Sequence, residues 1–325
     1  MQRVLVTGGT GFVGSHLVEA LRRRGVTVTA LVLPGQDALA LEQLGASVVR
    51  GSLEDHDVLR RAAEGQEVVF HVAGLVAARN EAEFLRVNRD GTAHLVRAAL
   101  QVGRPRLLLV SSMTAAGSAA PGARLDGQET PRPVSRYSRS KLAGEEVVRA
   151  ASLPWTIVRP PMVYGPRERD LLKVFRMVKQ WGLAPVFGNG SQELSAVFAP
   201  DLADAMIAAA DAPASIGKIY YPCHAEVFSS AMLVRGIAAA CARARVRIVP
   251  VPRWLTRLVL GLAGGFAALR GRAIIQTADK TNEYFQPAWV GDPAPLERDA
   301  GWRAAYDLKA GLAATFRWYR ELRWL

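Results

Sequence analysis

Cysteine is almost absent from this chain, with only Cys223 and Cys241 among 325 residues. Their separation matches no metal-ligand spacing, and the two residues could form at most one disulfide. A disulfide-stapled scaffold and a cysteine-based metal centre are therefore not expected, and we predict no bound metal and a reduced, cytoplasmic setting. A secretion signal is not expected either, because the first residues already enter an apolar run at Val4.

Long uninterrupted apolar runs are also missing. The most apolar stretch, residues 254–269, is interrupted by Arg257, contains three glycines and is shorter than the about 20 residues that span a bilayer. Arg253, Arg270 and Arg272 flank it. Three interpretations stay open: a buried helix, a wall of the substrate pocket, or an interfacial helix whose arginines meet acidic lipid over 254–272. We favour burial, whereas the other two would suit an apolar substrate.

Basic runs with interleaved aromatic residues are lacking, although the formal net charge is +12. The arginines are scattered through the predicted helices, so nucleic acid is not an expected partner. The positive surface would instead attract anions, such as a phosphate-bearing cofactor or an acidic membrane surface.

What the chain does contain is a glycine-rich turn between a strand and a helix. Residues 4–6 are typical of a buried parallel strand, and residues 15–21 repeat apolar side chains at helical spacing. Gly8 would permit the tight turn, Gly11 the approach of the backbone to a pyrophosphate, and Gly14 the close packing of helix and strand. With the free amides of the helix N-terminus, this pattern predicts a dinucleotide-binding cradle.

Strands and helices then alternate along the chain. Strands are predicted at 26–33, 46–50, 67–72, 106–110 and 155–159, and helices at 37–44, 55–64, 81–102 and from 137. This order predicts an α/β fold, a Rossmann-type doubly wound parallel sheet with helices on both faces. We expect a Rossmann domain at 1–166 and a smaller, mainly substrate-binding part at 167–325, of which about 196–212 returns to the Rossmann domain.

A tyrosine and a lysine lie four residues apart at the start of one predicted helix. Tyr137 and Lys141 would share a helix face, and a nearby ammonium favours the phenolate of a tyrosine, whose pKa is ordinarily about 10. Ser111 and Ser112 follow the fifth strand, where open α/β sheets bind ligands and a hydroxyl can bond to a substrate oxygen. We predict that Tyr137 moves the proton, that Lys141 supports it and holds the nicotinamide ribose, and that a serine orients the substrate.

The end of the second predicted strand bears on the choice of cofactor. Residues 32–36 contain neither the acid that would bond to the ribose of NAD nor an arginine for the extra phosphate of NADP. Because no carboxylate would repel that phosphate, we favour NADP over NAD.

These features together resemble the extended short-chain dehydrogenase/reductase superfamily, often labelled the NAD-dependent epimerase/dehydratase family. The segments that carry the resemblance are 7–14, 69–74, 87–92, 110–112, 137–141 and 159–166. Counted back from Gly117, Ser112 matches the family's catalytic serine or threonine, beside Tyr137 and Lys141. The NAD(P)-binding positions predicted here are Gly8, Gly11, Phe12, Val13, Gly14, Leu33, Ser52, Leu53, Val72, Ala73, Gly74, Asn88, Tyr137, Lys141, Pro160 and Val163. Ser52 departs from the family, which commonly has an adenine-binding aspartate there.

The resemblance also indicates a branch of the superfamily. Sugar-nucleotide members usually grip a diphosphate with an asparagine and an arginine, and the matching positions here are Met162 and Leu194. This apolar pair resembles the dihydroflavonol-4-reductase and 3β-hydroxysteroid dehydrogenase relatives. We expect an oxidoreductase that interconverts a secondary alcohol and a ketone on a mainly apolar steroid-, flavonoid- or lipid-like substrate near these residues.

Two alternatives stay open at this point. One is a nucleotide-sugar epimerase or dehydratase that grips phosphate through Arg167, Arg169 or Lys173. The other is a non-catalytic NAD(P)-binding subunit, against which the intact serine, tyrosine and lysine argue. Relatives often dimerise through their long helices, so the resemblance also implies a homodimer.

Overall fold

The structure is a computed structural model that describes residues 1–270, 274–275 and 277–325. Its first half alternates strands and helices: β1 (Arg3–Thr7), α1 (Phe12–Arg23), β2 (Thr27–Val32), α2 (Leu39–Gln43), β3 (Ser47–Arg50), α3 (His56–Ala63), β4 (Val68–His71), α4 (Glu81–Leu85), α5 (Thr92–Gln101), β5 (Arg106–Val110), α6 (Arg136–Arg149) and β6 (Trp155–Val158). Each strand predicted from the sequence in this half is present, and β5 has the predicted bounds. The helix predicted at 81–102 is divided into α4 and α5 by a π-helical turn, Arg86–Gly91.

The second half is built from shorter elements. They are β7 (Met162–Tyr164), α7 (Asp170–Trp181), β8 (Leu183–Phe187), β9 (Glu193–Leu194), β10 (Ala196–Phe198), α8 (Ala199–Asp211), β11 (Lys218–Tyr220), β12 (Phe228–Ser229), α9 (Ser230–Ala240), β13 (Arg247–Val251), α10 (Arg253–Leu269), α11 (Thr281–Tyr284), β14 (Ala288–Trp289), α12 (Ala294–Ala300) and α13 (Leu308–Glu321).

Seven strands form one parallel sheet in the order β11-β6-β5-β4-β1-β2-β3. The strand order reverses between β1 and β4, so the carboxyl ends of these two strands open the crevice in which such sheets bind ligands. The predicted α/β fold class, a doubly wound parallel sheet, is confirmed. The edge strand β11 was not predicted, because its three residues make no recognisable apolar run.

Both faces of the sheet are covered by helices, which explains why its strands are almost continuously apolar. Val4 and Val6 face the side covered by α1 and α8, whereas Leu5 between them faces the side covered by α3 and α5. All three side chains are completely buried. Side chains of successive strand residues alternate between the two faces, so this one strand serves both cores.

The second half has a core of its own, built around Tyr164, Phe175 and Phe228. It includes residues of the last helix, α13, of which Leu312 and Tyr319 are buried. Short sheets support this core: β7 pairs with β10, β8 with β13, and β9 lies between β12 and β14.

The apolar stretch 254–269 forms the helix α10, but the expectation that it is buried is wrong. Five of its large apolar side chains, Trp254 and Leu262 among them, are exposed. The helix packs on its neighbours through another face. The flanking Arg272, part of the membrane contact predicted over 254–272, lies outside the described residues. Among the described helices, none is long and apolar enough to cross a membrane.

Candidate active site

The glycine turn after β1 has the tight geometry that its spacing predicts. Gly8 has φ of +73°, and a Cβ built on it would lie 2.6 Å from the backbone nitrogen of Ala73. A Cβ on Gly14 would lie 2.1 Å from the carbonyl oxygen of Gly8, whereas one on Gly11 would approach that oxygen only to 3.3 Å. Helix α1 begins at Phe12 without a side-chain cap. The amides of its first turn are therefore available to an anion, and this arrangement fits the pyrophosphate of a dinucleotide.

A cavity of about 1290 Å³ lies over the carboxyl ends of the central strands. The predicted residues that line it are Gly8, Gly11, Phe12, Val13, Gly14, Leu33, Ser52, Leu53, Val72, Ala73, Gly74, Ser112, Tyr137, Lys141, Pro160 and Val163. The structure thus brings the predicted catalytic side chains and nearly all predicted cofactor positions to one space.

Asn88 is the exception among the predicted cofactor positions, because it lies behind the cavity wall. Its amide nitrogen donates to the carbonyl oxygen of Leu75 at 3.0 Å and to Ser140 Oγ at 2.9 Å. Its amide oxygen accepts a bond from the Leu75 nitrogen at 2.8 Å. Asn88 sits in the π-helical turn, a local distortion that often marks functional sites. In this structure the residue ties the loop after β4 to helix α6.

Tyr137 stands in the first turn of α6, which a capping box between Ser135 and Ser138 fixes at its N-terminus. The surrounding protein raises the pKa of Tyr137 to about 12, chiefly by removing the phenol from water. A hydrogen bond with Ser112 lowers this pKa and the charge of Glu283 raises it, so the phenol stays protonated at neutral pH.

Lys141 is buried one turn further along α6, and its ammonium donates to the carbonyl oxygen of Val110 at 2.8 Å. Burial lowers the pKa of Lys141 to about 8, against a raising effect of Glu145. The support of Tyr137 by this ammonium stays a prediction. The pKa of His71 is lowered chiefly by burial and also by the charge of Lys141.

His71 lies at the end of β4, under the cavity floor. Its Nε2 is 3.0 Å from Thr92 Oγ1, and its Nδ1 is 2.8 Å from Thr7 Oγ1. The hydroxyl of Thr92 donates a hydrogen bond to the carbonyl oxygen of Asn88 at 2.7 Å. We therefore assign the ring proton of His71 to Nε2, which leaves Nδ1 to accept the hydroxyl of Thr7. Burial lowers the pKa of His71 to about 3, so the ring is neutral.

Behind the serine pair lies a buried ion pair that the sequence interpretation missed. Arg159 donates to both carboxylate oxygens of Glu145, and Ser111 donates its hydroxyl to the same carboxylate. Both serines line the cavity, but Ser111 is bonded to this carboxylate, whereas Ser112 contacts Thr114 Oγ1 at 2.9 Å. A signal was present in the sequence, because Glu145 follows Lys141 by one helical turn and shares its inward face.

The second half of the chain supplies the opposite wall of the cavity. Its apolar part consists of Ile275, Trp318, Leu322 and Trp324. Residues 167–170 also line the cavity, and one of their two arginines, Arg167, is engaged by the protein. The Arg167 guanidinium bonds to Glu19 at 2.6 Å and to Ser15 at 3.1 Å, both in α1. The Arg169 guanidinium lies 5.5 Å from the ring centroid of Trp324.

Met162 and Leu194, predicted to lie near the substrate, are not among the residues that line this cavity. Both pack against the apolar core of the second half. Met162 is paired with Ala196 in the adjacent strand, and Leu194 with Phe228. Both side chains therefore occupy packing positions in this structure, and their contact with the substrate stays a prediction.

Comparison with known proteins now identifies the family. Residues 4–221 match the NAD dependent epimerase/dehydratase family. The chain belongs to this family. It is an enzyme of the extended short-chain dehydrogenase/reductase type, as the resemblance in its motifs implied.

Individual relatives in the family act on different compounds. The chain is 32% identical to the ceramide reductase of Caulobacter vibrioides over 324 residues, which cover 99% of this chain and 96% of that protein. It is 29% identical to the human sterol-4-alpha-carboxylate 3-dehydrogenase over 219 residues, 65% of this chain and 58% of that one. The UDP-glucose 4-epimerase of Thermus thermophilus, solved with NAD, is similar in fold, with a TM-score of 0.78, 24% identity and coverage of 98% and 99%.

Proposed function

We propose that this enzyme interconverts a ketone and a secondary alcohol on a ceramide-like lipid, with NADPH as the preferred reductant. The observation that carries the proposal is the shared cavity, in which Ser112 and Tyr137 face the same space as an apolar wall that includes Trp318 and Ile275. Such a wall suits hydrocarbon chains better than a sugar diphosphate. The near full-length similarity to a ceramide reductase supports the same substrate class.

The catalytic side chains suit reduction of a carbonyl. A bound nicotinamide cofactor supplies the hydride for the carbonyl carbon. Tyr137, protonated at neutral pH because its pKa is about 12, donates its phenolic proton to the substrate oxygen. Ser112 donates a hydrogen bond to the same oxygen as negative charge develops on it. Lys141, buried beside Gly74, holds the cofactor's ribose with its ammonium.

The surroundings of the adenosine end favour NADPH. At the end of β2, Leu33 occupies the position from which an acid would hold the ribose of NAD. Arg50, at the end of the adjacent β3, donates to the backbone carbonyl of Gln36, which lines the cavity. A guanidinium at this place offers a partner for the extra phosphate of NADPH.

A nucleotide-sugar epimerase is less well supported by these contacts. A sugar diphosphate needs cations, but Glu19 engages Arg167, and Arg169 is exposed beside the ring of Trp324. The likeness to UDP-glucose 4-epimerase concerns the fold alone.

The proposal is tested with purified enzyme, NADPH and a ceramide in which one backbone hydroxyl has been oxidised to a ketone. We expect the cofactor absorbance to fall and the ceramide alcohol to appear by mass spectrometry. A ketosteroid and UDP-glucose serve as comparison substrates. Epimerised sugar without any absorbance change, and no reaction with lipid ketones, would contradict the proposal.

A further inference from the structure

The helix α10 carries an apolar stripe on its exposed side. Trp254, Leu258, Leu262 and Phe266 recur every four residues, and each is between 52% and 68% exposed. Val259, 53% exposed, widens the stripe by a further position. A row of large apolar side chains in contact with water is costly, and a contiguous patch of this kind marks a surface that another body covers.

The remainder of the protein holds this stripe outward. Thr256, on the opposite side of the helix, is buried and donates to the carbonyl oxygen of Pro252 at 3.2 Å. Arg253 donates to Asn282 at 3.3 Å, and the helix packs against residues 278–284. The helix therefore packs on the protein through the side that carries Thr256, opposite the stripe.

The charges around the stripe identify what covers it. At 3.6 residues per turn, Arg257 lies along one side of the stripe and Arg270 along the other. The Arg270 guanidinium lies 4.1 Å from the ring centroid of Phe266. Residues 253–270 contain no acidic side chain. An apolar face bordered by cations on both sides is complementary to the surface of an anionic bilayer, with acyl chains below and phosphates around.

Helix α10 is connected to the catalytic site through the residues on which it packs. It packs on the segment that contains Asp279 and Lys280. The carboxylate of Asp279 accepts a hydrogen bond at 2.8 Å from the backbone N–H of Arg136, at the start of α6. Lys280 Nζ lies 4.9 Å from the ring centroid of Tyr137. Ile275, between α10 and this segment, lines the catalytic cavity.

We propose that α10 docks this enzyme on an anionic bilayer. Its apolar stripe lies at the boundary of the acyl chains, and the arginines beside it bind lipid phosphates. The docking stands on the helix geometry alone. Its purpose, passage of a lipid from the bilayer to the cavity at Ile275, rests on the proposed function.

Flotation with lipid vesicles tests the docking. Wild-type protein is mixed with phosphatidylcholine vesicles with or without phosphatidylglycerol, and its partition is measured. The combined variant Leu258→Ser, Leu262→Ser, Phe266→Ser removes most of the stripe. Its control replaces exposed apolar residues elsewhere: Leu39→Ser, Ile216→Ser, Met232→Ser. A second pair compares Arg257→Gln, Arg270→Gln with the equally charged change Arg61→Gln, Arg235→Gln.

We expect the wild type to float with the anionic vesicles. The stripe variant should lose at least roughly tenfold in partition and the Arg257, Arg270 variant several-fold, while both controls float like the wild type. Circular dichroism melting establishes that each variant is folded. Absence of wild-type flotation, or equal losses in variants and controls, would overturn the proposal.

A second copy of the chain is the other body that could cover the stripe. Light scattering that shows a dimer, converted to monomer by the stripe variant and without vesicle binding, would overturn membrane docking. Flotation requires no turnover, so it stands or fails separately from the proposed reaction. That reaction is measured without membranes by using a detergent-dispersed lipid ketone.

Discussion

The carboxylate of Glu145 and the guanidinium of Arg159 form a two-bond ion pair in the interior, with 2.9 Å between Nε and Oε1 and 2.6 Å between Nη2 and Oε2. The two side chains are 0% and 1% exposed. Arg159 also donates to the hydroxyl of Tyr221 at 2.8 Å, and Ser111 donates to Glu145. The pair thus joins the ends of β5 and β6 to α6, and so positions the serine and the tyrosine relative to each other.

Glu145→Ala should destabilise the protein by about 3 kcal/mol, because it removes the main partner of a buried guanidinium. Glu81→Ala is the matched control, since Glu81 pairs with Arg139 at 2.7 Å on the surface and should cost less than about 1 kcal/mol. Urea denaturation of the variants measures both values. Equal losses of unfolding free energy in the two variants would show that the buried ion pair stabilises the fold no more than the surface pair does.

The glycine turn contains one packing position and one binding position. Gly14→Ala should cost about 1–3 kcal/mol or more in folding stability, because its Cβ would meet the Gly8 carbonyl oxygen at 2.1 Å. Gly11→Ala should leave folding intact and weaken cofactor binding, since its Cβ has room within the protein but extends into the cradle. Thermal melting and cofactor titration separate the two effects. The reverse pattern would contradict these roles.

His71 should make the folded state sensitive to acid. Its pKa is lowered to about 3 when folded, whereas an unfolded histidine titrates near 6.5. The unfolded chain therefore takes up a proton first, and stability is lost as the pH falls from about 6.5 towards 3. Through His71 alone, the free energy of unfolding should fall by about 2 kcal/mol between pH 7 and pH 5.

The variant His71→Asn tests this dependence. Its unfolding free energy, measured in urea at both pH values, should fall by about 2 kcal/mol less than that of the wild type. His16, whose pKa is lowered to about 4, remains in both proteins and supplies a common background. An unchanged slope would contradict the assignment.

Arg50 should determine the preference for NADPH. Arg50→Ala is expected to raise the dissociation constant for NADPH roughly tenfold, because one charged hydrogen bond to the phosphate is lost. The dissociation constant for NADH should stay unchanged. Fluorescence titration of both cofactors measures this without turnover. Equal losses for the two would show that Arg50 acts on the structure of the β2 turn alone.

The sequence predicts the sheet well, because apolar runs such as 106–110 and the glycines at 8, 11 and 14 are local signals. Other features depend on contacts between distant segments. Only the tertiary structure shows that Trp318, in the last helix, lines the cavity. Met162 and Leu194 match family positions, yet in the structure both pack against the core of the second half.

The exposure of α10 illustrates the same limit. Periodicity predicts a helix and its apolar face, but an apolar face is buried in most soluble proteins, and the sequence does not say which side meets the protein. The burial of Thr256 shows which side meets the protein, because the side of the helix that carries it packs inward. The position of Glu145 beside Arg159 likewise required the juxtaposition of α6 and β6.

The most direct test of the central claim follows a label from the reductant to the lipid. The enzyme is given the oxidised ceramide and NADPH deuterated at the transferable position, and the alcohol product is analysed by mass spectrometry. The account predicts one deuterium on the carbinol carbon with wild-type protein, and loss of turnover with retained NADPH binding in Tyr137→Phe. Product without deuterium, or near wild-type turnover in Tyr137→Phe, would contradict it.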